Sequence, residues 1–125
     1  MDREKLTSDF YADEFYSPDI NAGVMNPNFM AKLQKLRTSV GVGFKITSGF
    51  RTKEQNDKVH GAKDSRHLIG GAADIRHVEW NGYTRRKFVM MALNQGFSVG
   101  IYQAHFHVDD RQGLGTLWIG DNVLD

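Results

Sequence analysis

Three side chains that favour divalent metals lie on two distant stretches of this chain, and they constrain its fold more than any other feature. Ser65-Arg66-His67 leads into Gly70-Gly71-Ala72-Ala73-Asp74, and much later comes His105-Phe106-His107-Val108-Asp109. If His67, Asp74 and His107 serve one ion, the fold must lay the two stretches side by side. Two imidazoles and one carboxylate leave a tetrahedral ion one position short, and that open position separates a catalytic metal from a structural one. The pattern points to a hydrolase that uses metal-activated water.

Local periodicity agrees with that arrangement. Side chains on a strand alternate between faces, so His105, His107 and Asp109 point one way and Val108 the other. Ala72-Ala73-Asp74-Ile75 reads as a second strand, in which a lone carboxylate is costly unless paired or metal-bound. Gly70 and Gly71 let the preceding loop turn back so that His67 converges with Asp74. An isolated His-x-His is a weak signal, and His60 and His77 are read as ordinary surface or core histidines. From spacing alone, a metal centre and a merely hydrogen-bonded cluster both stay open.

The remaining elements follow from punctuation and period. Asn26-Pro27 opens a helix in which Phe29, Leu33, Leu36 and Val40 share a core face, ending before Gly41. Phe44 to Ser48 alternates as a strand, and Thr52 to Gln55 forms a capping box that starts a short helix to about Val59. His60 to Gly71 reads as loop and Ala72 to Val78 as strand. A second main helix runs from Tyr83 to Asn94, with Gly96 behind it. Ser98 to Tyr102, Phe106 to Asp109 and Leu117 to Ile119 read as further strands. The fold class expected is α+β, a small antiparallel sheet flanked by helices. Residues 1–125 are taken as one domain, with 1–26 an irregular segment that packs Phe10, Tyr11, Phe15 and Tyr16 onto it. The acids of that segment (Asp9, Asp13, Glu14, Asp19) lack calcium-loop spacing and are read as solvated.

Composition excludes several alternatives. The 125 residues include no cysteine, so no disulfide, thiolate metal site or cysteine nucleophile is available. With 16 basic and 15 acidic residues the formal net charge is +1, which gives no electrostatic case for a nucleic-acid partner. No apolar run approaches the ~20 residues needed to cross a bilayer. Met1 to Phe10 has no apolar h-region, so synthesis in the cytoplasm without a secretory signal is expected.

Ser48-Gly49-Phe50-Arg51, Asn56, Ser65-x-His67-x-x-Gly70-x-Ala72-x-Asp74-Ile75 and His105-x-His107-x-Asp109, in this order, resemble the zinc D-Ala-D-Ala carboxypeptidase family, peptidase family M15. That family belongs to a wider group with lysostaphin-type peptidases and hedgehog domains. The resemblance covers about Pro27 to Arg111 and is strongest to single-domain bacteriophage and prophage versions. It implies one zinc ion held by His67, Asp74 and His107. It implies that His105 exchanges protons beside the water, and that Arg51 faces the cleft to steady an oxyanion or hold a substrate carboxylate. Ser65 matches a residue that contacts a substrate carboxylate, with a loop-capping role as the plain alternative. Asp109 either hydrogen-bonds a ligand histidine from behind or holds a strand end. The chain departs from several branches at Ala104, where they carry an acid three positions before the last ligand.

The activity so implied is hydrolysis of amide bonds in peptidoglycan stem peptides, at D-Ala-D-Ala or at an internal link such as L-Ala-D-Glu. The implied setting is a monomeric phage lysis or virion protein, made in the bacterial cytoplasm and delivered to the wall with other lysis or tail proteins. The alternative is a peptide-binding module that keeps the metal but has lost catalysis. A third class is a structural protein whose His67, Asp74 and His107 only hydrogen-bond.

Overall fold

The structure, a computed structural model, describes residues 3–16, 25–111 and 115–120. Helix α1 (Pro27–Val40) begins where expected because the Asn26 side chain accepts from the amides of Asn28 and Phe29, at 2.9 and 3.1 Å. Those amides have no carbonyl in the first turn, so the cap satisfies them. The helix stops at Gly41, whose φ of 83° is left-handed and easy only for glycine. Helix α3 (Gly82–Asn94) is capped by Asn81, which accepts from Thr84 at 2.8 Å, and the chain turns away at Gly96. The short α2 (Lys53–Lys58) carries the Thr52–Gln55 capping box.

Five strands form one sheet in the order β1 (Lys45–Ser48), β2 (Ala72–Arg76), β4 (His105–Asp109), β3 (Ser98–Ile101), β5 (Leu117–Ile119). The α+β class is as expected. The sheet is antiparallel except at β5, which runs parallel to β3 and makes the sheet mixed. Within the stretch 60–71 a 3-10 turn, Arg66–Ile69, interrupts the expected loop.

Register sorts the two faces. Ile46, Ile75, Phe106 and Ile101 stand opposite one another across four strands. This apolar row joins Phe29, Leu33, Leu36, Phe88 and Ala92 of the helices in one hydrophobic cluster. The Phe88 and Phe106 rings stack at 4.9 Å. The adjacent row is Ser48, Asp74, His107, Gly100 and Trp118. Directly opposed residues share a face, so this polar row lies on the side away from the helices. A bulge between Ile46 and Ser48 brings Ser48 opposite Asp74.

In the described part of the N-terminal segment, Phe10 and Phe15 are buried in the hydrophobic cluster. Asp9 and Asp13 are exposed, and the acids make surface contacts: Asp13 takes both arms of Arg3, Asp9 pairs with Gln34 and Arg37, and Glu14 accepts from the Tyr11 amide. Asp19 lies outside the described residues. Among the described residues no helix is long and apolar enough to cross a membrane.

Candidate metal centre

Asp74 and His107 occupy opposed positions on β2 and β4, and His107 Nδ1 stands 3.0 Å from Asp74 Oδ1. His67 arrives from the 3-10 turn. That turn is started by Ser65, whose Oγ accepts from the His67 amide at 3.2 Å, and ended by Gly70 at φ 70°. Its Nε2 reaches the same Asp74 Oδ1 at 3.3 Å. Both His67 and Asp74 are almost fully buried.

The far nitrogen of each ring is already committed. His67 Nδ1 meets the Gly49 carbonyl at 2.5 Å, and a carbonyl can only accept, so that nitrogen carries the hydrogen. Gly49 must be glycine here, since a Cβ would lie 2.7 Å from the Phe15 carbonyl oxygen. His107 Nε2 donates to Asp109 Oδ2 at 2.7 Å. Burial alone would raise the Asp109 carboxyl, but Arg111 and His107 outweigh it and keep it well below the usual range. Asp109 is therefore an acceptor only.

Neutral imidazoles in these tautomers turn two lone pairs toward one carboxylate oxygen. Three acceptors facing one another require positive charge among them, supplied by a second proton on each ring or by one cation. The three ligand atoms lie within 4.8 Å of one another. The two nitrogen-to-oxygen separations, 3.0 and 3.3 Å, are close to the ~3.3 Å edge of a tetrahedron with metal bonds of ~2.0–2.1 Å. The local field agrees. Burial acts to lower the His107 pKa, yet Asp109 and Asp74 outweigh it and raise it. Burial would likewise raise Asp74, but His107 and His67 hold it far below the ordinary carboxylate range. The residues fit a divalent ion with nitrogen and oxygen ligands.

Asp74 Oδ2 faces the other way, toward Arg51 Nη2 at 3.3 Å, with His105 Nε2 at 3.7 Å. Arg51 is fixed by three acceptors, its Nε and Nη1 also reaching Ser48 Oγ and Asn56 Oδ1. Asn56 is buried and donates to the Ala62 carbonyl at 2.7 Å, so it ties Arg51 to the loop before Ser65. His105 is half-buried, and burial lowers its pKa against a smaller upward pull from Asp74. Burial thus favours the neutral ring, the form that can take up a proton.

Arg51, Ser65, His67, Asp74, His105 and His107 line one cleft of about 650 Å³. Asp109 is buried behind His107 and accepts from its Nε2, one of the two roles the sequence left open. Ser65 is placed on the wall, although its oxygen already caps the turn.

Tyr102 and Trp118, which the sequence offers as ordinary core or rim aromatics, line the cleft, as does Arg111, to which the sequence assigned no role. The Tyr102 ring lies parallel to His105 at 4.6 Å, and Trp118 stands 5.4 Å from His107. The available signal was Gly100 inside a strand, which often marks a close approach. A Cβ there would sit 2.6 Å from the Trp118 ring.

A family model described as Peptidase M15 matches residues 9–109. The chain belongs to the Peptidase M15 family. The match covers His67, Asp74, His105, His107 and Asp109 and stops before Arg111 and Trp118. Curated proteins offer no match to this M15 chain. As a family, M15 peptidases depend on zinc, and the donor set described above is of the kind zinc accepts.

Proposed function

We propose that this M15 peptidase hydrolyses amide bonds in peptidoglycan stem peptides, with one zinc ion held by His67, Asp74 and His107, as a phage or prophage cell-wall lytic protein. The observation that carries the metal is the convergence of two ring nitrogens on Asp74 Oδ1 while their partner nitrogens are spent on Gly49 and Asp109. The substrate class rests on the resemblance of the Ser48-to-Asp109 motifs to D-Ala-D-Ala peptidases. When bound, the ion supplies Lewis acidity and acidifies water.

The chain's own side chains supply the rest. Arg51, held by Ser48, Asn56 and Asp74, presents a fixed cation to the oxygen of the scissile carbonyl or to a substrate carboxylate. His105 holds and moves the proton, taking it at Nε2 and passing it to the leaving amine. Ser65 keeps its hydroxyl hydrogen free to donate to a substrate carboxylate while its oxygen caps the turn. The protein acts as a monomer on the wall, after release from the cytoplasm or as part of a virion.

A second reading is supported by Ala104. It carries no proton-transfer group, and its carbonyl is used by the His77 amide at 3.0 Å. On this reading the cleft docks stem peptides without cutting them. Mass spectrometry of purified peptidoglycan incubated with the protein separates the two. New amine and carboxyl ends that vanish with chelator and return with zinc are expected. Intact stem peptides retained on a zinc-loaded protein favour the docking module, and full cleavage in excess chelator overturns the zinc assignment.

A further inference from the structure

Two residues of the wall behind His107 and His105, Arg111 and Trp118, lie past the end of the family match. Arg111 grips Asp109 with Nε to Oδ1 at 2.8 Å and Nη2 to Oδ2 at 2.6 Å, and its amide reaches Oδ1 at 3.1 Å. Oδ2 is the atom that accepts from His107 Nε2. The Arg111 guanidinium also lies 5.0 Å over the Trp118 ring. Trp118 Nε1 donates to the Tyr102 hydroxyl at 3.0 Å, and Tyr102 is the ring parallel to His105. One indole thus adjoins both supports.

Strand β5 has little other reason to exist. Its neighbours Leu117 and Ile119 are about half exposed, so the strand buries little apolar surface beyond Trp118. Gly100 leaves the space over which that ring lies.

We propose that Arg111 and Trp118 are positioning residues of the metal centre, Arg111 acting through Asp109 on His107 and Trp118 acting through Tyr102 on His105. The inference rests on the zinc reading above. A guanidinium is charged at any accessible pH and offers a planar fork that matches a carboxylate. Gripped on both oxygens, Asp109 cannot rotate, and its Oδ2 stays aimed at His107. The His107 hydrogen is then kept on Nε2 and the lone pair on Nδ1, facing Asp74. Partners one bond behind a metal ligand commonly set its affinity by ~10–100-fold. Trp118 does the equivalent for His105 by fixing the plane on which the imidazole lies.

Zinc affinity by competition with a chromophoric chelator tests the first arm, together with the absorption spectrum of the cobalt-substituted protein. Arg111→Ala is expected to weaken zinc by ~10–100-fold and to alter the cobalt spectrum. Arg111→Lys keeps charge and bulk but not the fork, and is expected to recover only part of the loss. It decides the matter if the alanine variant does not fold. For the second arm, Trp118→Phe keeps a ring but removes the donor. It is expected to shift the His105 ring nitrogen resonances of the zinc-loaded protein. Parent-like affinity and cobalt spectrum in Arg111→Lys, or an unmoved His105 in Trp118→Phe, overturns the corresponding arm. A parent protein that binds no zinc overturns the metal reading itself, and is recognised without any variant.

Discussion

His107 Nδ1 and His67 Nε2 meet at a single atom, Asp74 Oδ1, although His107 is 33 residues beyond Asp74 along the chain. The antiparallel register of β2 and β4 makes this meeting, since Asp74 and His107 are direct partners across the ladder. Asp74→Asn keeps the shape but removes the charge that the proposed zinc site relies on. Zinc affinity should fall by more than the ~10–100-fold expected for loss of an outer partner. Equilibrium dialysis with metal analysis measures it, and an asparagine variant that retains stoichiometric zinc at micromolar protein contradicts the ligand assignment.

His105 adjoins the ligand carboxylate without sharing the atom that the other two histidines share. His105→Ala should therefore leave zinc content intact while lowering kcat by about 10²–10⁴, the usual contribution of a positioned proton carrier. Steady-state kinetics on a defined stem peptide, alongside zinc analysis, checks both halves. An unchanged rate removes His105 from the reaction.

Arg51 faces Asp74 Oδ2, Ser48 and Asn56 at once. Arg51→Ala is expected to reduce kcat by about 10²–10³, the scale of one lost oxyanion donor. Asn56→Ala should give a milder version of the same defect, because it frees Arg51 and the loop carbonyl of Ala62 together. Equal rates in the Asn56 variant and the parent would show that Arg51 does not need this anchor.

Gly100 lies under the Trp118 ring, with room for hydrogen and not for a methyl group. Gly100→Ala should push the indole outward and cost ~1–3 kcal/mol in urea unfolding, as overpacking does. A change in tryptophan emission should accompany it. Parent-like stability would mean that the ring sits elsewhere in solution.

Asn26 accepts from two amides at the start of α1. Asn26→Ala should lower stability by ~0.5–2 kcal/mol without altering zinc affinity. Thermal denaturation with matched zinc titrations separates that effect from damage to the metal centre, and a loss of zinc binding would show the helix start to be coupled to the site through the Asn26 amide bond to Gly70.

Local chemistry carried much of this protein in its one-dimensional form. The Asn26 cap, the Gly41 stop and the Thr52–Gln55 box depend on neighbours within four residues, so they are legible in order of sequence. The two-residue period of β4 likewise put His105, His107 and Asp109 on one face, and family motifs placed His67 and Asp74 with them. Tertiary structure decided what stands behind those residues. Arg111 sits only two residues from Asp109, yet nothing in their spacing indicates a two-armed grip, because that depends on how the chain leaves β4. Tyr102 and Trp118 read as plain core or rim aromatics. The place of Trp118 beside His107 follows from β5 pairing parallel to β3, which lays it over Gly100, whereas Tyr102 meets His105 across the turn between β3 and β4. Strand pairing between segments distant in sequence is set by packing of the whole sheet, and no local period records it.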